Sequence, residues 1–259
     1  MKRMRKPQTH SKANEHANEH ANEHALPLHT PSTASLAMAA AIAMIAWLAI
    51  AAQTDLSIAR SLGRGLTVID GLARMSSYLT NLTVLLTALC FTCVATRAQS
   101  PVARFFRQPP VVTAVAVYIV FVGIAYNTLL RFWWTPSGYR ALVNEALHTV
   151  VPLLAALYWL LFVPRFHLSW RRCALWLVYP LCYLFVTLWR GSTSDFYPYW
   201  FINVAELGYE RVFFNATLLV VAFLVLMSVF LVINHRREDL SVPDPEVESD
   251  DMAGPGTPR

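Results

Sequence analysis

The chain has 259 residues, of which 56% are hydrophobic and 14% charged, with eight Trp, fourteen Phe and a formal net charge of +5. Soluble domains carry about 25% charged residues, so this composition excludes a disordered chain and an ordinary soluble domain. Polar residues concentrate in 1–33 and 236–259, and the apolar segment between them, 34–235, reads as an all-α polytopic membrane domain.

Six stretches approach the roughly 20 residues that a bilayer crossing needs. In chain order they are Ala34–Ala52, Ser77–Thr96, Val111–Leu130, Ala146–Pro164, Cys173–Trp189 and Phe213–Ile233. The first and last contain no charge, and the fifth is the shortest at 17 residues. Between the first two spans, Leu56, Leu62, Leu66, Ile69 and Ala73 recur at helical spacing among Arg60, Arg64, Asp70 and Arg74. That pattern suits a helix lying in the membrane interface.

Lys and Arg on alternate sides set the orientation. The N-terminal tail has five, the 97–110 and 165–172 loops three each, and the C-terminal tail three, which is fourteen on one side. The other side has seven: Arg60, Arg64, Arg74, Arg131, Arg140, Arg190 and Arg211. The bias puts both termini in the cytoplasm, in what reads as a bacterial cytoplasmic membrane. Ala49-Ile50-Ala51 resembles a signal-cleavage site, but a polar leader and an apolar run of nineteen residues favour a retained span.

Several features predict no chemistry. Residues 13–24 repeat ANEH three times, and His16, His20 and His24 would share a helix face. No rigid second shell is in prospect around them, so no metal is expected there. The acidic C-terminal tail, with seven of the sixteen acids, reads as a solvated disordered end. Cys90, Cys93, Cys173 and Cys182 include one CxxC but no second pair at ligand spacing, so they read as ordinary thiols. No Gly-rich phosphate loop, HExxH or GxSxG is present, and no cofactor is expected. The membrane-proximal arginines suit anionic lipid head groups, not nucleic acid.

Sorting polar residues by depth is more informative. Ser77, Thr80 and Asn81 open span two at i, i+3, i+4, so they are expected on one helix face. Asn127 lies near the end of span three, and Asn144 and His148 flank the start of span four. Arg190, Asp195, Asn203 and Glu206 lie on the connection between spans five and six, beside the aromatic run Phe196–Phe201. Hydroxyl, amide, imidazole and carboxylate groups thus meet at one level, near the outer leaflet. Polar groups at membrane depth usually face a bundle interior or a cavity. Pro152 removes the helical bond to the His148 carbonyl, so a bend and a free acceptor are expected there. A neutral His148 could draw the proton from Ser77 or Thr80, with Asn144 orienting the ring.

The segment Asn144-Glu145-Ala146-Leu147-His148-Thr149-Val150-Val151-Pro152 resembles the N-x-x-x-H-T-x-x-P segment of the androgen-induced gene family of integral membrane proteins and its bacterial relatives. Trp176–Pro180, Arg190-Gly191 and Tyr197-Pro198-Tyr199 resemble that family's W-x-x-Y-P, R-G and Y-P-Y segments, and Ser77–Asn81 resembles the opening of its second span. The resemblance covers roughly 34–235. It implies a six-span helical protein and, for the animal members, a threonine hydrolase that cleaves fatty-acid esters of hydroxy fatty acids. The family's His corresponds to His148, and its Thr falls at Ser77, with Thr80 one turn later as rival.

Two functions are therefore expected in competition. One is a lipid-ester hydrolase with Ser77 or Thr80 as nucleophile and His148 as base, supported by Asn81, Asn127, Asn144, Arg190, Tyr197, Asn203 and Glu206. The other is a membrane protein that binds or carries a lipid or small ligand, with no turnover. Membrane lipids, including fatty-acid esters, are the expected partners. A third, structural option has these polar residues merely joining helix to helix.

Overall fold

The computed structural model describes residues 32–133, 135–166 and 173–239, with side chains to 236. The ANEH repeat with its histidines, the N-terminal basic tail, Arg171, Arg172 and the acidic tail from 240 onward lie outside the described residues. The described residues are helical and contain no strand. Eight helices follow in order: α1 (Thr33–Leu62), α2 (Val68–Met75), α3 (Leu79–Thr96), α4 (Pro101–Phe106), α5 (Pro109–Leu130), α6 (Tyr139–Phe162), α7 (Ala174–Ser194) and α8 (Val204–Asp239). Six of them, α1, α3, α5, α6, α7 and α8, are long and apolar enough to span a bilayer. The protein is an integral membrane protein of the all-α class.

Several spans are longer than their apolar cores, because nothing in the flanking sequence stops a helix. α1 runs ten residues past Ala52 and ends only at Gly63-Arg64-Gly65, where Gly65 takes φ 73°. The expected single interfacial helix over 54–76 is thus two pieces, the projecting end of α1 and the short α2. A capping box starts α2: Thr67 Oγ1 accepts from the Asp70 N–H at 3.2 Å, and the Asp70 carboxylate accepts from the Thr67 N–H at 2.9 Å. The Thr67 hydroxyl, which donates to the Asp70 carboxylate at 2.7 Å, and then the Thr67 N–H hold this exposed carboxyl below its ordinary pKa. α2 folds back on α1 so closely that a Cβ on Gly71 would come 2.8 Å from the Ile58 Cα, and Ser57 donates to the Gly71 carbonyl at 2.8 Å. Ile69 stays 75% exposed, as a residue facing lipid head groups would be.

α5 and α6 carry the irregularities that matter. α5 starts on Pro109, where a missing N–H does no harm, and ends in a π turn at Tyr126–Leu130. α6 starts at Tyr139, seven residues before the expected Ala146, and widens into a π turn at Ala146–Val150, immediately before Pro152. α7 includes Arg190, which the sequence reading placed on the following loop, and ends at Asp195 in the left-handed region. α8 is interrupted at Gly208, whose φ is 74°.

The bundle core is built from α1, α3, α5 and α6. Ala39, Ala43, Ala46 and Ala49 give α1 a small-residue face that lets α3 approach closely. Buried Ile42, Val84, Phe91, Ile119 and Val151 fill the centre. Polar ties join the helices: Ser35 with Tyr158 (2.9 Å), Trp159 Nε1 to Thr113 (3.0 Å), and Thr83 with Tyr179 (2.9 Å). α7 is the least embedded, with 17% of its apolar window buried against 56% for α5.

Candidate functional site

At the end of the bundle away from Thr33, the two π turns lie beside each other. A π turn leaves backbone groups to find partners outside the regular ladder, and such turns recur at functional sites. Tyr126 stacks on His148, with ring centroids 3.7 Å apart. The His148 Nδ1 bonds to the Asn144 carbonyl at 2.9 Å. A carbonyl only accepts, so in the neutral ring Nδ1 carries the proton and Nε2 holds the lone pair. Asn144 thus meets the ring through its backbone carbonyl, while its side-chain amide donates to the Tyr126 hydroxyl at 2.7 Å.

The His148 carbonyl freed by Pro152 is not left open, contrary to the sequence reading. Asn127 Nδ2 donates to it at 3.2 Å and to the Gly123 carbonyl at 2.8 Å. One amide thus repairs the break in α6 and pins α6 to α5. Arg131 donates to Asn127 Oδ1 and pairs with Glu145 at 2.5 Å, and Thr149 donates to the same carboxylate at 2.7 Å. Helix α3 packs directly against the π turn that holds His148.

Ser77, Thr80 and Asn81 do not share one helix face, because α3 begins only at Leu79 and Ser77 lies on the turn before it. Ser77 Oγ donates to the Ala73 carbonyl at 2.6 Å and accepts from Arg190. Its own carbonyl accepts from the Tyr183 hydroxyl at 2.8 Å, and Arg190 also reaches the Ala73 carbonyl at 3.2 Å. The Ser77 hydroxyl proton is therefore committed to α2, not to His148. Asn81 likewise donates to the Met75 carbonyl at 2.8 Å, tying α3 to the end of α2.

Thr80 is placed differently. It lines a largely apolar cavity bounded by α3, α5, α7, α8 and the connection between α7 and α8. The remaining hydroxyl-bearing side chains there are Tyr126, Tyr183 and Tyr199; the rest of the lining is aliphatic or Phe, including Phe121, Leu181, Leu184, Phe201 and Phe223. Tyr199 has Thr80 as a hydrogen-bond partner; burial drives its phenol up to about 12, and the bonds to Thr80 and Leu79 work the other way. Tyr199 is thus neutral at ordinary pH. Ser77 and His148 do not line this cavity, although Tyr126, stacked on His148, does.

The α7–α8 connection is anchored from both ends. Tyr197 lies flat on Gly191, whose missing side chain is the space its ring occupies. Tyr78 meets Phe196 and Tyr199 edge-on at 6.5 and 5.8 Å. Asn203 Oδ1 accepts from the Ala205 N–H at 3.1 Å and so starts α8, while Glu206 is exposed in its first turn. These two residues shape the connection and are not brought to the cavity. The sequence reading missed Tyr126 and Tyr183; a tyrosine at membrane depth beside another polar residue was the available signal. Among the described residues no group of three or more His, Cys, Asp or Glu is arranged to hold a metal.

In comparison with known proteins, the chain matches no family model, no curated protein and no solved structure.

Proposed function

We propose that this protein is an intramembrane lipid-ester hydrolase of a bacterial cytoplasmic membrane, with Thr80 as nucleophile and His148 as general base. One observation carries the reading: Thr80 lines an apolar cavity together with Tyr126, whose ring stacks on His148, and α3 packs against the π turn that holds this histidine with an uncommitted Nε2. The resemblance to the androgen-induced gene family supports the same chemistry, and Thr80 is taken as the nucleophile because it, unlike Ser77, lines the cavity.

An acyl chain lies in the cavity with its ester at Thr80. Thr80 Oγ attacks the carbonyl carbon as its proton passes to His148 Nε2. The developing oxyanion accepts a hydrogen bond from Tyr199, which stays protonated and sits beside the nucleophile. The imidazolium then returns the proton to the departing alkoxide, and water releases the acyl group from Thr80 with His148 again as base. Asn127 and Asn144 position His148, and Tyr126 supports its ring. A second reading, a lipid-binding protein without turnover, is favoured by a lining that contains no charged side chain.

The test is hydrolysis of a long-chain ester of a hydroxy fatty acid by the detergent-purified protein. Thr80→Ala and His148→Ala should each lower turnover by about 10²-fold or more, while Ser77→Ala keeps most of it. Full turnover in Thr80→Ala sinks the assignment. Turnover lost only in Ser77→Ala transfers the nucleophile to Ser77.

A further inference from the structure

Tyr78, whose ring meets both the cavity-lining Tyr199 and Phe196, links the cavity to two arginines with no counter-ion among the described residues. Arg74, in the last turn of α2, lies with its guanidinium carbon 4.5 Å from the Phe196 ring centroid, and Arg190, near the end of α7, with its own at 5.8 Å. Both side chains are half-buried. Neither has a carboxylate within ion-pair distance among the described residues, where the resolved ion pair is Arg131–Glu145. Asp70, one turn before Arg74, spends its carboxylate on Thr67. Arg190 uses Nη1 on the Ala73 carbonyl and Ser77 Oγ, which fixes the guanidinium while leaving donors for another acceptor. The Arg74 guanidinium makes no hydrogen bond to the protein among the described residues.

Two half-buried like charges brought to one ring repel each other and lose hydration, a cost that an anion accepting from both would offset. A planar carboxylate is satisfied by a single guanidinium fork. A phosphate, with oxygens pointing in different directions, can accept from two guanidiniums that do not share a plane. The location agrees, because α2 is a short helix beyond the end of the first span with Leu72 and Ile69 exposed, the pattern of an interfacial helix. We infer that Arg74 and Arg190 form a seat for the phosphate of a phospholipid or lysophospholipid whose acyl chain enters the Thr80 cavity. The inference rests on reading that cavity as an acyl site, and it narrows the ester to one with a phosphate-bearing head.

Binding is the readout that separates this inference from catalysis, and Thr80→Ala protein removes turnover from the measurement. Palmitoyl lysophosphatidylglycerol should bind that protein about tenfold or more tightly than monopalmitoylglycerol, which has the same chain and no phosphate. Arg74→Gln should erase the difference with only a small change in the unfolding midpoint, since its guanidinium makes no hydrogen bond to the protein and only the contact with the Phe196 ring is lost; Arg190→Gln should erase it too, with a larger loss of stability. Equal binding of the two lipids, or an undiminished preference in Arg74→Gln, overturns the inference. Palmitate as tight as the lysolipid makes the seat a carboxylate site, and displacement of the lysolipid by millimolar inorganic phosphate makes it a free-phosphate site; both outcomes also overturn it. A phosphate preference in protein that hydrolyses no ester leaves the seat standing and removes the hydrolase.

Discussion

Tyr197 occupies the space that a side chain at position 191 would need: a Cβ there would overlap three atoms of the tyrosine ring. Ring atoms cannot yield as the tip of a lysine would, so Gly191→Ala must push the 196–201 segment off the end of α7. Overpacking of this kind costs about 1–3 kcal/mol. The expected result is a lower unfolding midpoint together with weaker ligand binding, because Tyr199 and Phe201 line the cavity from that segment. Tyr197→Ala in the same protein should relieve the stability defect but not restore the segment's position. Wild-type stability in Gly191→Ala alone would mean that the ring contact does not hold the connection. At this scale the sequence was partly readable. Arg190-Gly191 and Tyr197-Pro198-Tyr199 were marked as motifs only by the family resemblance, as separate segments, and the contact between them is a tertiary one. The partnership of Arg190 with Ser77 spans 113 residues and no spacing rule reaches it.

At the level of elements, the site depends on how α5 and α6 meet at Gly123. A Cβ on Gly123 would come 2.9 Å from the Pro152 Cβ and 3.1 Å from the His148 carbonyl oxygen, so the two helices touch where α6 lacks a bond. Asn127 fills that lack. Removing its amide leaves the His148 carbonyl unsatisfied away from water, at about 1–3 kcal/mol. Asn127→Ala should therefore lower stability by that amount in detergent unfolding. Pro152→Ala returns an N–H at the position that lost one, so the double variant should be destabilised by less than the sum of the singles. Strict additivity in that cycle would show that the amide and the proline act on unrelated groups. The existence of six spans and the special character of the Pro152 region were legible, because apolar length and a missing N–H are properties of the sequence itself. Helix ends were not. α1 passes Ala52 and α6 starts before Ala146 because the flanking residues are polar but contain no early Gly or Pro, and a helix does not end where the membrane does.

For the whole molecule, the cavity, the anion seat and the π turns all lie at one end of the bundle, and α7 covers them loosely. A chain can thus enter sideways from the leaflet at that end, past Leu181, which lines the cavity and is 44% exposed. Which leaflet this is follows from charge. With fourteen Lys and Arg on the side of the termini and seven on the other, the charge bias predicts that the cavity opens to the outer leaflet. The expectation can be read with a membrane-impermeant maleimide on intact cells, after the four native cysteines are replaced. Ser137→Cys, exposed between α5 and α6, should label at once, whereas Gln99→Cys, exposed between α3 and α4, should label only after permeabilisation. The reverse pattern would move the cavity to the inner leaflet and Arg74 and Arg190 to its surface. The seven arginines would then face the anionic cytoplasmic lipids, the fourteen the outside, and the lipid available to the site would be drawn from the cell's interior leaflet.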